Sequence, residues 1–299
     1  MMDEDILEKY LKAGKIAAEV CSKLRAMLKP GVKLMDVAEF AENEMRKLGG
    51  EPAFPINISI NDVAAHYTPQ FNDEKVIGSR DLVKIDVGVH VDGYIGDTAF
   101  TWCAEENKLI GASEKVLDAA IAVIRPGVTV SEIGSAIEAK AKELGVGVIV
   151  NLTGHTLDRF VFHGAPSIPN VKNDNKYAFN EDDVIAIEPF VLESNGTVKD
   201  STPVEIYRYV MGRPVRLAEA RKILELAAGK YNELPFAKRW LAKEGMSPLK
   251  VQMALNQLEQ LGAIETYPTL KESRGRPIVQ AEHTIIVRDK PIVTTRMAE

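Results

Sequence analysis

The chain repeats itself, and this repeat limits its fold more than any other feature. Lys29-Pro30-Gly31-Val32 returns as Arg125-Pro126-Gly127-Val128 at an offset of 96 residues. His66-Tyr67-Thr68-Pro69 returns as His163-Gly164-Ala165-Pro166 at 97, and Asp81-Leu82-Val83-Lys84-Ile85-Asp86 as Asp183-Val184-Ile185-Ala186-Ile187-Glu188 at 102. A chance likeness between helix ends accounts for the first match alone, but not for three in the same order at nearly constant offset. The pattern predicts two copies of a helix–helix–strand unit related by a pseudo-twofold axis. In each copy Pro-Gly stops one helix, and Asp36 or Ser131 is placed to cap the next. The second helices run out at Lys47-Leu48-Gly49 and Glu143-Leu144-Gly145.

Both copies carry strand signals around acidic residues. Leu82 to Val91 alternates like a half-buried strand, and Asp92-Gly93 follows as a hairpin turn. Residues 184–191 and 284–287 are similarly apolar and β-branched. Helices grouped with antiparallel hairpins predict an α+β layer fold. The second copy is interrupted, because from Arg216 to Tyr267 the pattern turns helical, with breaks at 232–235 and 245–248. Three short helices are expected there. The chain thus divides into a body of residues 1–215 and 268–299 and an inserted helical subdomain of residues 216–267.

At 299 residues the chain can bury one large core or two modest ones. A formal charge of −6 argues against a nucleic-acid backbone as main partner. No stretch approaches the roughly 20 apolar residues that span a bilayer. The acidic start lacks the basic and apolar regions of a secretion signal. Cys21 and Cys103 are too few for a disulfide framework and suit a reducing compartment. A cytoplasmic location is expected.

The acidic residues within apolar runs carry the chemistry. A carboxylate among apolar neighbours costs several kcal/mol unless it is paired or binds a cation. Asp86 sits in one such run, and folding the hairpin at Asp92-Gly93 brings Asp97 near it on the neighbouring strand. No Lys or Arg lies between them. Glu188 is the repeat mate of Asp86, Glu282 stands before another β-branched run, and His155 adds a nitrogen donor. Taken singly, Asp86 also reads as an edge residue, His155 as a loop histidine and Glu282 with His283 as a solvated pair. Together with the repeat, four carboxylates and an imidazole suit two divalent ions such as Mn, Fe, Co or Zn. Two such ions roughly 3.5–4 Å apart can share carboxylates and hold a hydroxide that attacks a carbonyl. Hydrolysis of an amide or ester follows.

The segment from Asp81 to Asp97 resembles, along its whole length, the signature of type 2 methionine aminopeptidases, in peptidase family M24. Ala64-Ala65-His66-Tyr67-Thr68-Pro69, Gly154-His155, Ala186-Ile187-Glu188-Pro189 and Glu282-His283-Thr284 fall in the family order. The resemblance implies the duplicated "pita-bread" (creatinase/aminopeptidase) α+β fold. It implies that Asp86, Asp97, His155, Glu188 and Glu282 ligate two metal ions, with Asp97 and Glu282 bridging them. It makes Glu188 a proton shuttle, His163 a donor to the scissile carbonyl and His66 a contact to substrate near the cleaved residue. Phe54, Phe162, Phe190 and Tyr267 fall where the methionine pocket is lined, although the resemblance leads one to expect a smaller aliphatic residue at 162.

The implied activity is removal of initiator methionine from nascent polypeptides whose second residue is small, by a monomer. An insertion between the Glu188 and Glu282 strands marks type 2 over type 1. Its helix from Leu249 to Leu261, followed by Gly262-Ala263-Ile264-Glu265, resembles a winged helix. Residues 216–260 hold eight Lys and Arg against five Asp and Glu, too diffuse for a phosphate-binding stripe, so a wall of the substrate cleft is the expected role. The chain resembles the short form that lacks a charged N-terminal extension. Two rival readings share the fold. An X-Pro aminopeptidase or prolidase would use the same ligands but usually carries a further N-terminal domain and no helical insert. A non-catalytic RNA- or protein-binding relative typically loses metal ligands, and here all five are present.

Overall fold

A computed structural model describes residues 2–296. The first half opens with α1 (Glu4–Met27) and α2 (Leu34–Lys47), followed by β1 (Glu51–Pro52), β2 (Asn57–Ile60), β3 (Val63–Ala65) and the hairpin β4 (Val83–Val91) and β5 (Tyr94–Trp102). The second half repeats the plan with α3 (Lys108–Ile121), α4 (Val130–Glu143), β6 (Gly147–Val148), β7 (Thr153–Asp158), β8 (Val161–Pro169), β9 (Val184–Ile187) and β10 (Phe190–Leu192). A long strand, β11 (Val198–Tyr209), then leads into α5 (Ala218–Glu225), β12 (Phe236–Ala237), α6 (Lys238–Lys243) and α7 (Pro248–Gln260). The chain returns along β13 (Ile264–Glu272) and ends with β14 (Val279–Gln280), β15 (His283–Ile286) and β16 (Ile292–Val293). This is the expected α+β architecture, with both helix pairs in place and three helices, α5 to α7, between β11 and β13.

Helix α1 buries Tyr10, Ala13, Ala17, Val20 and Leu24, a stripe at helical spacing. Asp3 caps its start by accepting from the Asp5 amide. With α2 it covers the β4–β5 sheet, joining Leu34, Val37, Ala41 and Met45 to Ile58, Ile85, Val87 and Val89 in one apolar core. Val116, Ile133 and Ile137 of α3 and α4 form the matching core with Ile185, Ile187 and Ile285. Each such side chain, fully buried, stabilises by about 1.5–3 kcal/mol.

Two local expectations are corrected. Neither Asp36 nor Ser131 caps a helix. Asp36 lies inside the first turn of α2, whose Leu34 amide is bonded instead to the Lys75 carbonyl. Thr129 caps α4 in a reciprocal box with Glu132, while the Ser131 hydroxyl donates to the Asn173 carbonyl and ties down a loop. In both copies a backbone bridge to the loop beyond, Lys33 with Val76 and Thr129 with Ala178, sets the entry to the helix. Nor is β4 half-buried. Helices cover one face and the second half with its cavity covers the other, so most of its residues are enclosed.

The halves meet where β5 runs beside the β14–β15 segment, and threonine hydroxyls stitch the seam. The Asp97 amide donates to Thr284 Oγ1 at 2.8 Å, and that hydroxyl donates back to the Asp97 carbonyl at 2.9 Å. Thr98 donates to the Glu282 carbonyl at 2.7 Å, and the Glu282 amide to the Ala99 carbonyl at 3.0 Å. The insert has a core of its own, with Ile223, Phe236, Leu241, Leu255 and Leu258 fully buried. A buried polar clamp also fastens it to the body. Arg239 of α6 pairs with Glu42 of α2, donates to Thr68 Oγ1 at 2.5 Å and donates to the Pro69 carbonyl at 3.3 Å. Trp240 Nε1 donates to the other Glu42 oxygen at 2.9 Å.

Among the described residues no helix is long and apolar enough to cross a membrane. Cys21 and Cys103 are both free thiols.

Candidate metal centre

The hairpin turn puts the first two carboxylates in place. Asp92 and Gly93 both have positive φ, at 51° and 88°, the tight turn that Asp-Gly favours. The resulting register pairs Asp86 with Ala99 and Gly88 with Asp97, so the two aspartates are diagonal neighbours on one face. Gly88 is required here, because a Cβ would lie 2.0 Å from the Phe54 ring. Its absence lets that ring approach the carboxylates.

The other ligand candidates come from the second half. His155 is on β7, beside Ala186 of β9. Glu188 follows β9 at the break before β10, and Glu282 stands between β14 and β15. Asp97, His155 and Glu282 are 1%, 5% and 2% exposed, and each offers a ligand atom within 4.8 Å of the others. His155 Nε2 lies 3.7 Å from Asp97 and 3.7 Å from Glu188. Its Nδ1 donates to the Thr156 carbonyl at 3.3 Å, which leaves the lone pair on the nitrogen that faces the carboxylates.

Electrostatics agree with a cation site. Burial pushes Asp86 up to about 7. Burial, then Asp86 and Glu188, raise Asp97 well above the carboxylate range. Glu188 is raised by burial and Asp86, and Glu282 by burial, Asp97, Glu188 and Asp86. Four carboxylates crowded together resist ionisation unless positive charge joins them, and no Lys or Arg lines this cavity. One oxygen each of Asp86 and Asp97 is buried without a hydrogen-bond partner. A divalent cation satisfies both conditions, so the donor set fits the expected metals.

Every residue expected at the site from sequence lines this one cavity of about 320 Å³: Asp86, Asp97, His155, Glu188, Glu282, His66, His163, Phe54, Phe162, Phe190 and Tyr267. His66 follows β3 with φ +62°, an uncommon conformation for a residue with a side chain. Its Nδ1 donates to the Pro268 carbonyl at 3.2 Å, and burial lowers it to about 4. His163 stands on the edge strand β8, open to solvent at the mouth. Its protonated form is disfavoured first by the surrounding protein and then by His155, His66 and Arg208. Phe162 lies 4.5 Å from Phe54 and 3.9 Å from His163 between ring centroids, so the unexpected aromatic closes one wall of the cavity. Tyr267 packs edge-on to His66 and donates to Glu265 at 3.2 Å.

The cavity also takes in Asn57, Asn151, Thr153, Ser167, Ile206 and Pro235, which the sequence reading did not single out. Asn57 carried a usable signal, since it and Ser59 are the two polar residues inside the otherwise apolar run Phe54 to Ile60. Ile206 and Pro235 come from the neighbourhood of the insert, where no short motif marks them.

Duplicated α+β halves around a carboxylate-rich seam define a pita-bread metallopeptidase, and the chain belongs to metallopeptidase family M24, whose family model matches residues 8–289. Within that family it is similar to the methionine aminopeptidase of Thermococcus onnurineus, at 47% identity over 98% of this chain and 100% of the relative. Two solved structures share the fold. A thermophilic Arx1 superposes with a TM-score of 0.86 at 18% identity, covering 98% of this chain and 91% of that one. A methionine aminopeptidase from Rickettsia prowazekii does so with a TM-score of 0.69 at 23% identity, covering 99% of both.

Proposed function

We propose that this protein removes N-terminal methionine from nascent polypeptides whose second residue is small, using two divalent cations held by Asp86, Asp97, His155, Glu188 and Glu282. One observation carries the reading: four carboxylates and a lone-pair imidazole nitrogen converge on a cavity whose remaining walls include Phe54, Phe162, Phe190 and Tyr267. When bound, the cations, drawn from Co, Mn, Fe or Zn, supply Lewis acidity to the scissile carbonyl and acidify a water.

The chain's own residues do the rest. Asp97 and Glu282, deepest in the seam, would be shared between the cations, with Asp86 on one and His155 and Glu188 on the other. Glu188, less enclosed than Asp97 or Glu282, can take a proton from water and return it to the leaving amine. His66 spends Nδ1 on Pro268, so its neutral Nε2 faces substrate as an acceptor. His163 at the mouth would donate to the carbonyl oxygen as charge develops there. The aromatic walls take the methionine side chain, whose thioether suits such contacts.

Residues 216–267 act in this reading as an inserted, winged-helix-like subdomain on a body of residues 1–215 and 268–299. Pro235 and Tyr267 line the cavity, which supports a walling role for the insert rather than a nucleic-acid one. Two free thiols suit a cytoplasmic location, and in this reading the protein acts there as a monomer on free polypeptides.

Release of methionine from Met-Ala-X and Met-Gly-X peptides, with and without chelator, tests the proposal. Metal-dependent release is expected. Cleavage of X-Pro peptides in preference to these would instead assign a prolidase-like activity.

A further inference from the structure

Among the described residues, seven buried side-chain oxygen or nitrogen atoms have no hydrogen-bond partner, and three of them, on Asp86, Asp97 and Asn57, belong to residues lining the metal cavity. The two aspartate oxygens are accounted for by cations. The third belongs to a carboxamide outside the proposed ligand set of four carboxylates and one imidazole.

Asn57 lies on β2 directly opposite Asp86 in the register with β4, and it is 4% exposed. Its Nδ2 donates to the Pro55 carbonyl at 2.8 Å, which fixes the orientation of the carboxamide. Oδ1 is therefore the atom left over. A buried acceptor without a donor costs about 1–3 kcal/mol. Such an atom in a binding cavity is satisfied by a ligand that brings a donor with it.

The donor can be identified by position. Asn57 is three residues from Phe54, on the wall that would hold the first residue's side chain, and beside the carboxylate cluster. His66 and Tyr267 form another wall, and the neutral His66 already offers an acceptor for the amide beyond the scissile bond. The group that distinguishes an aminopeptidase substrate, and that sits next to its first side chain, is the free α-amine.

We infer that Asn57 Oδ1 accepts a hydrogen bond from the substrate's α-amino group and thereby selects for a free N-terminus. The inference rests on the proposed aminopeptidase reading and names the residue that recognises the amine. It has no part in holding the cations.

Calorimetry on metal-loaded protein tests it with two probes, L-methionine and its des-amino analogue 4-(methylthio)butanoic acid. Asn57→Ala is expected to weaken methionine binding about ten- to a hundred-fold, as loss of a hydrogen bond to a charged group should. Binding of the des-amino acid should stay within about two-fold, since it makes no such bond. Metal stoichiometry should be unchanged. Asn57→Ser serves if the alanine variant does not fold. Equal weakening of both probes, unchanged methionine affinity, or loss of a metal would each overturn the assignment. If the wild-type protein releases no methionine from Met-Ala-X, the proposed function falls and the assignment with it. If it does, and Asn57→Ala binds methionine as tightly, only the assignment falls.

Discussion

Replacing Arg239 with methionine should unlatch the insert and weaken the site without touching a metal ligand. Arg239 and Glu42 are 1% and 2% exposed, so neither charge has water to fall back on. Arg239→Met leaves the Glu42 carboxylate with the Trp240 N–H as its remaining partner, and removes the donors to Thr68 and Pro69. Breaking one side of such a buried pair costs about 3–5 kcal/mol, a large share of the roughly 5–15 kcal/mol typical of a folded domain. Thr68 and Pro69 follow His66 by two and three residues in the loop after β3, so loss of their tether should displace His66 and catalysis should suffer as well. We expect kcat/KM for a Met-Ala-X peptide to fall about ten-fold, as a misplaced substrate contact would require, with metal content unchanged. Urea unfolding of the metal-loaded protein, followed by circular dichroism, reads the stability loss. The double variant Arg239→Met with Glu42→Met removes both charges and should recover most of the loss, because an apolar pair carries no desolvation penalty. A single variant within about 1 kcal/mol of wild type, or a double variant no better than the single, would refute the argument from an uncompensated buried charge.

Other outcomes follow from the site. Glu282→Ala should abolish tight binding of two cations, as metal analysis after dialysis would show; a variant keeping both ions and its activity would remove Glu282 from the ligand set. Loading metal at pH 6 should expel protons. Asp86, pushed up to about 7, and the still more crowded Asp97, Glu188 and Glu282 hold protons there, whereas His155 and His66, lowered to about 4, have none to give. Calorimetry in two buffers of different ionisation enthalpy measures the release, and zero release contradicts the shifts. The sign for stability follows: folded-state values raised above the unfolded ones favour the metal-free fold at low pH, and that contribution of the carboxylates drains away as pH rises through about 7. Phe162→Ala should open the wall beside Phe54 and raise kcat/KM for peptides beginning with a bulkier residue, relative to methionine, by about ten-fold. An unchanged ratio would take Phe162 out of the pocket.

The parts legible in the sequence were those written locally or twice. Asp92-Gly93 specifies its own turn, and the turn fixes the Asp86–Asp97 diagonal without reference to anything distant. The duplication exposed Glu188 as the mate of Asp86 because the same apolar frame surrounds both. Helix entries were misread at Asp36 and Ser131 because a bridge to a distant loop, absent from any short window, decides where each helix starts. The Arg239–Glu42 clamp joins residues far apart in the chain, and a Glu in an amphipathic helix looks solvated until its partner is known. Asn57 was passed over for a different reason: its side chain acquires meaning once the Pro55 bond has used its donor and left one oxygen facing the cavity.

The seam between the halves also sets a timetable. Asp86 and Asp97 are translated early, His155 and Glu188 in mid-chain, and Glu282 after the entire insert. The threonine stitches that close the seam, Thr284 to Asp97 and Thr98 to the Glu282 carbonyl, must wait for that same segment. A growing or truncated copy that stops within the insert therefore has Phe54, Phe162, Phe190 and three of the four clustered carboxylates, but lacks Tyr267, Glu282 and the join that aligns the others. The cavity is thus assembled only when the segment carrying Glu282 and Thr284 has joined the first half.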